Sequence, residues 1–247
     1  KIVLSGLIDA QQENLISVDN EMSLKNIAID SIFYVFENFN QTFLEDKHLQ
    51  GKVDAKIIST LTFDSFLRLN PSSLESKIAT TIRGGELNNF APILRLERYV
   101  DDEKLSHLTF SDISTDILIK DKTVYFPEIE VNSNVSSLNI SGTHTFDQRI
   151  NYKIITPLRR KEKRDKDEAF GAIEETSSGK TLVHLKITGT TSNYAVAYDK
   201  EAVKNKIVSD LKKEMEELKE AFKNKGLKEK KKVELEEDDY FDWEENN

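Results

Sequence analysis

Alternation with a period of two is the feature that most constrains this chain. Ile2, Leu4, Gly6, Ile8 and Ala10 share one parity, and Val53, Ala55, Ile57, Leu61 and Phe63 form a second row opposed by Asp54, Lys56, Thr60 and Asp64. Successive side chains of a strand point to opposite faces, so each row reads as a half-buried strand. Further strands are expected near residues 22–29, 75–83, 115–120, 123–131, 135–142, 149–155, 181–188 and 193–198, with Gly, Asn, Ser and Asp clusters between them. Closely spaced strands with one apolar and one polar face form antiparallel meanders, so the expected class is mainly β, with a few helices.

The helical signals are short until late in the chain. Asp30 or Ser31 could cap a turn or two through Phe33, Val35, Phe36 and Phe39. Leu87 to Val100 carries Phe90, Ile93, Leu94, Leu96 and Tyr99 at helical spacing, with Pro92 near its first turn. Asp101 or Asp102 could cap another turn through Leu105. From about Lys200 to Asn224, apolar residues recur every three or four positions at Val203, Ile207, Leu211, Met215, Leu218 and Phe222, before a stop at Gly226. The expected organisation is a β-rich domain over 1–198, an amphipathic helix over 199–226 that packs on the domain or on a partner, and a charged tail over 227–247.

That tail reads Lys-Glu-Lys-Lys-Lys over 228–232. Eight carboxylates then follow between Glu234 and Glu245, interleaved with Tyr240, Phe241 and Trp243. Such a run is ordinarily a solvated tail. The sharper reading makes the three rings a short peptide that docks on a partner, because large rings are costly to leave wet. The basic stretch Arg159 to Lys166 reads either as a solvated loop or as a contact for anionic headgroups, a reading weakened by its interspersed acids.

Charge and composition exclude several classes. A formal net charge of −9 argues against a general nucleic-acid binder, which needs a clustered excess of Lys and Arg. Without cysteine there is no thiol catalysis, disulfide or Cys-ligated zinc. No apolar run reaches the ~18 residues of a membrane span. His48, His107, His144 and His184 are scattered without metal-ligand spacing, and no G-x-S-x-G elbow occurs. His144 reads as the holder of a turn in Gly142 to Asp147, and His184 as a strand residue facing away from the core. Ser178-Gly179-Lys180-Thr181 imitates the end of a phosphate loop, but Glu174 occupies the place of the required first glycine and would repel phosphate. Catalytic residues, cofactors and metals are therefore none on this reading. A glycan hydrolase with two carboxyl groups about 5–10 Å apart is the remaining enzymatic alternative.

Several strings taken in order resemble the C-terminal region of AsmA-family proteins, especially the form found in Bacteroidetes-type bacteria. They are Ile32-Phe33-Tyr34-Val35-Phe36-Glu37-Asn38-Phe39, Leu49-Gln50-Gly51-Lys52-Val53, Gly85-Glu86-Leu87-Asn88-Asn89-Phe90-Ala91-Pro92 and Leu105-Ser106-His107-Leu108-Thr109-Phe110-Ser111. Tyr125 to Asn134, Ser141 to Asp147 and the ending Asp238 to Trp243 continue the resemblance. It implies a curved β-sheet that forms a trough or half-barrel, as in the related TamB and chorein groups. It also implies a periplasmic protein held in the inner membrane by an N-terminal anchor that this chain does not contain, the fragment itself being soluble. The implied role is non-enzymatic: phospholipid acyl chains are shielded or conducted between membranes in support of outer-membrane biogenesis. The alternative is an envelope assembly scaffold that binds a protein partner through the C-terminal helix and tail.

The candidate trough wall is Val124, Phe126, Ile129, Val131, Leu138, Ile140, Val183, Leu185 and Ile187. Parity alone leaves open whether this row faces a ligand or a covering helix. If the helices at 31–39, 87–99 and 200–224 cover the apolar face, it is an ordinary core; if they leave it open, it is a lipid-sized groove.

Overall fold

A computed structural model describes residues 1–97, 103–158, 172–175, 181–202 and 215–216. Twelve strands form one antiparallel sheet. In chain order they are β1 (Ile2–Gln12), β2 (Leu15–Ala28), β3 (Leu49–Phe63), β4 (Leu69–Asn88), β5 (His107–Phe110), β6 (Ile113–Lys120), β7 (Thr123–Asn132), β8 (Ser137–Thr145), β9 (Arg149–Pro157), β10 (Ile173–Glu175), β11 (Thr181–Thr190) and β12 (Tyr194–Tyr198). The path runs β1-β2-β3-β4-β6-β7-β8-β9-β11-β10. β5 shares the edge of β4 with β6, and β12 shares the edge of β11 with β10. At ~4.8 Å per strand this path is roughly 45 Å wide. It does not close on itself, since among the described residues β1 pairs only with β2.

The registers place one apolar row across the whole sheet. Ile2, Leu4 and Ile8 stand opposite Leu24, Met22 and Val18, and these oppose Ala55, Ile57 and Leu61. Ile57 meets Ile78, which meets Ile117. Ile119 meets Val124, and the row passes through Ile140 and Ile154 to Leu185 and Tyr198. The other face carries the polar parity. Lys56 pairs with Glu21 at 2.9 Å, and Thr81 shares a hydrogen bond with Ser114 at 2.9 Å. Asp54 is buried there, 2.6 Å from Arg83. Asp121 and Lys122 both have positive φ in the two-residue turn between β6 and β7, a geometry that matches the strand twist.

Two connections supply the cover. The first, between β2 and β3, contains α1 (Ile29–Val35) and a left-handed turn in which Glu37, Asn38 and Phe39 all have positive φ. Ile29 packs with Val53 and Ala55, joined by Ile32, Phe33 and Ile82. The second, between β4 and β5, contains α2 (Ala91–Leu94) and a 3-10 turn over Glu103–Ser106. From these connections Phe43, Ile93, Leu96 and Leu105 descend onto Leu138, Ile150, Ile154, Val183, Leu185 and Ile187. Each such side chain, once buried, contributes roughly 1.5–3 kcal/mol.

The helix expected over Leu87 to Val100 is corrected by these contacts. Leu87 and Asn88 belong to β4, where Leu87 pairs with both Leu49 and Leu108; of the described residues that follow, Ala91–Leu94 and Glu97 are helical, with Arg95 and Leu96 in a turn between them. Asn89, at φ 49°, breaks the strand before Pro92 opens the short helix. Phe90, Ile93, Leu94 and Leu96 pack into the core, so their spacing marks a core segment; Tyr99, Asp101 and Asp102 lie outside the described residues. Of the expected helix over 200–224, Lys200, Glu201 and Ala202 form a turn and Met215 and Glu216 are helical, and the rest lies outside the described residues. Met215 is buried against Leu118, with Tyr125 beside them. Leu118 has the parity opposite to Ile117 and Ile119, so this contact lies on the other face of the sheet from the apolar row. The tail over 227–247, with Tyr240, Phe241 and Trp243, lies outside the described residues.

Candidate functional site

Among the described residues, the cover over the apolar face is incomplete. Beneath the two connections the row is dry: Val183 and Leu185 are 0% exposed, and Ile154 is 2% exposed. At the β1 side, Ile2 is 61%, Leu4 63% and Ile8 71% exposed. Between these limits lie half-buried residues of the same row, among them Val18, Met22, Leu61 and Phe63. Ile29 of α1 packs with Val53 and Ala55, against which Ile57 and Ile78 lie, and the stretch toward the β1–β2 and β3–β4 turns lies beyond this cluster. Leu69, which pairs with Phe63 at that end, is 42% exposed. The site is thus a strip of open apolar sheet continuous with a covered core.

One polar lane crosses this strip. Asn20 stands opposite Ser59, and Ser59 opposite Ser76, with the two serine hydroxyls 2.8 Å apart. Each serine satisfies the other, so the lane adds little demand for water.

All nine sequence-derived wall residues lie on the apolar row, brought together by the registers of β7, β8, β9 and β11. Leu138, Val183, Leu185 and Ile187 sit inside the covered core. Val124, Phe126, Ile129, Val131 and Ile140 are half-buried on the same face. The open part of the row therefore lies on β1, β2 and β3, where the alternation of Ile2, Leu4 and Ile8 was legible but their lack of cover was not.

The covered part ends in an aromatic cluster around Phe43. Its ring lies edge-on to Phe90, His144 and Tyr194, and parallel to Tyr152. His144 is a β8 residue on the core face and not the turn-holder expected from sequence; Tyr152 approaches its Nδ1 at 3.4 Å. Burial lowers the pKa of His144 and raises that of Tyr152, so both are held neutral beside the apolar residues. His184 does point away from Val183 and Leu185, yet it is itself buried on the opposite face.

Among the described residues, no three His, Asp or Glu side chains converge as a metal site, and no helix is long and apolar enough to cross a membrane. A shallow open depression beside α1, lined by Asp30, Tyr34, Asp46 and Lys47 among others, lies apart from the apolar strip's exposed end. No protein-family model, curated protein or solved structure matches this chain.

Proposed function

We propose that this chain is a non-enzymatic lipid-shielding module, a trough-like piece of an AsmA-type envelope protein that works in the periplasm and supports outer-membrane lipid balance. The observation that carries the reading is the uncovered end of the apolar row, where Ile2, Leu4 and Ile8 remain exposed while the same row is dry beneath Phe43 and Leu96. A contiguous apolar surface beside a folded core is costly in water and marks a place where an apolar ligand or partner is held. β1 has 11 residues, which span about 37 Å at the antiparallel rise. This exceeds the roughly 15 Å depth of one leaflet's hydrocarbon, so an acyl chain can lie along the strip. The polar opposite face keeps such a sheet wetted on one side only. The family resemblance supplies the envelope setting.

The scaffold alternative assigns partner capture to residues 199–247. Met215 of the expected helix packs against the chain's own Leu118 and so favours docking within the domain. Mass spectrometry of lipid extracted from the purified protein tests the lipid reading. Phospholipid recovered in near-stoichiometric amount is expected. A preparation free of lipid that also fails to take up fluorescent phospholipid contradicts it.

A further inference from the structure

The β3–β4 hairpin ends in a turn that holds two apolar side chains in the open. Asp64 fastens it. Its Oδ1 accepts the N–H groups of Phe66 and Arg68, each at 2.9 Å, and its Oδ2 accepts the Arg68 Nε–H at 2.7 Å. Its carbonyl accepts the Leu67 N–H at 2.9 Å, and its own N–H is donated to the Arg68 carbonyl at 3.0 Å. The backbone of the turn is thus fixed without the side chains of Phe66 or Leu67, which are 77% and 70% exposed. This exposure is not that of a sheet edge, since β3 lies between β2 and β4, and β4 between β3 and β6.

Leu67 is also an exception among its neighbours. It sits at φ 60°, in the left-handed region that suits Gly, Asn or Asp and strains a larger side chain. The β1–β2, β6–β7 and β8–β9 turns lie at the same end of the sheet, and their positive-φ residues are Asn14, Asp121, Lys122 and Gln148, all polar. Turn geometry therefore gives no reason for a leucine at this position, and an apolar occupant outside the chain does.

The chemistry of the hairpin is layered. Phe66 and Leu67 form its tip, and the Asp64–Arg68 ion pair its base, with the Arg68 guanidinium 5.2 Å from the centre of the Phe66 ring. A bilayer leaflet has the same order, hydrocarbon first and charged headgroups outside it. Just below the turn, Phe63 and Leu69 pair on the apolar row, so the open strip leads to the base of the hairpin.

We propose that the Phe66–Leu67 tip inserts into the acyl boundary of a bilayer leaflet and sets the open end of the apolar strip against it. Because the adjoining strip is read as lipid-bearing, the occupant assigned to the tip is a leaflet and not an apolar patch of another protein. The ion pair at the base is neutral as a unit, so insertion is driven by the two apolar side chains and survives high salt. Adsorption through the basic stretch Arg159 to Lys166 would not.

The test is co-sedimentation with vesicles of phosphatidylethanolamine and phosphatidylglycerol. Wild type is expected to bind, and to remain bound at about 0.5 M salt, where surface charges are screened within a few Å. Phe66→Ser with Leu67→Asn should weaken binding at least about tenfold while the thermal midpoint holds or rises, since asparagine fits the left-handed position. The chain has no cysteine, so an environment-sensitive dye can be placed at one site. On Leu67→Cys its emission should brighten and shift to the blue with vesicles; on Ser137→Cys, exposed at the opposite end of β8, it should not change. Wild type that ignores vesicles, binding that the double variant retains or that salt abolishes, or a dye at residue 67 that does not respond overturns the proposal. Uptake of a dispersed fluorescent phospholipid separates the two readings. A chain that takes up phospholipid but ignores vesicles loses the tip and keeps the strip, and one that inserts but takes up none does the reverse.

Discussion

Phe43 lies parallel to Tyr152, with ring centroids 6.2 Å apart and planes 2° from parallel. This contact pins the connection between β2 and β3 across the far half of the sheet, and Phe90 and Tyr194 close on the same ring from its edges. Phe43→Ala should destabilise the chain by about 3 kcal/mol, the usual cost of deleting a buried ring. Chemical denaturation checks the value. Binding of an apolar dye should rise in the variant, because loss of the ring uncovers part of the row that is now dry.

Two buried ionisable groups give the stability a pH dependence of one sign. Burial lowers the pKa of His144 below its ordinary 6.5. For Asp54 burial acts upward, but the Asn26 N–H, donated to Oδ1 at 2.6 Å, and the Arg83 guanidinium outweigh it and hold the carboxyl below its ordinary 3.8. In both cases the unfolded chain binds protons more readily than the folded one, so stability falls as pH falls. The loss should begin below about pH 6.5 through His144 and steepen below 3.8 through Asp54. Asp54→Asn should cost about 1–3 kcal/mol at pH 7. Its deficit relative to wild type should shrink as the pH is taken below the folded-state pKa of Asp54, as measured by urea midpoints across pH.

Gly85 is filled from outside by Phe110. A Cβ on Gly85 would overlap the Phe110 ring, and the two residues are paired across β4 and β5. Gly85→Ala should therefore push the ring aside and cost about 1–3 kcal/mol. The double variant Gly85→Ala with Phe110→Ala should recover part of that loss. Equal stability of the single variant and wild type would show that the ring moves freely.

Met215 fills the space over Leu118 on the polar side of the sheet. Met215→Ala should lower stability by about 2 kcal/mol, seen as a thermal midpoint several degrees lower. Leu118→Ala in the same background should add less than it does alone, since the two side chains share one contact.

Much of the sheet was legible because its signal is local. The rows beginning at Ile2, Val53, Val124 and Thr181 each show alternation within one strand, and each became a strand of the observed meander. The first half of β2 was missed because Asp19 and Asn20 interrupt the row with turn-like residues, although Asn20 sits in register opposite Ser59. β5 and β10 are too short to show a period, and their pairing with β4 and β11 is set by residues distant in the chain. Cover is the least local property of all. Val183 and Ile8 read alike in sequence, and only the return of Phe43, Ile93 and Leu96 across the sheet makes one dry and leaves the other wet. The face chosen by Met215 was equally hidden, because a helical stripe does not say which side of a sheet it meets.

The open strip is tested most directly by titrating a fluorescent phospholipid into wild type and into Leu61→Asp, a variant on the half-buried part of the row away from the β1 edge. Saturable binding by wild type, weakened at least about tenfold in the variant with its circular dichroism spectrum unchanged, is the expected result, since the new carboxylate would have to be desolvated beside the acyl chain. Absence of binding by wild type, or equal binding by both proteins, would contradict the assignment of this surface to lipid.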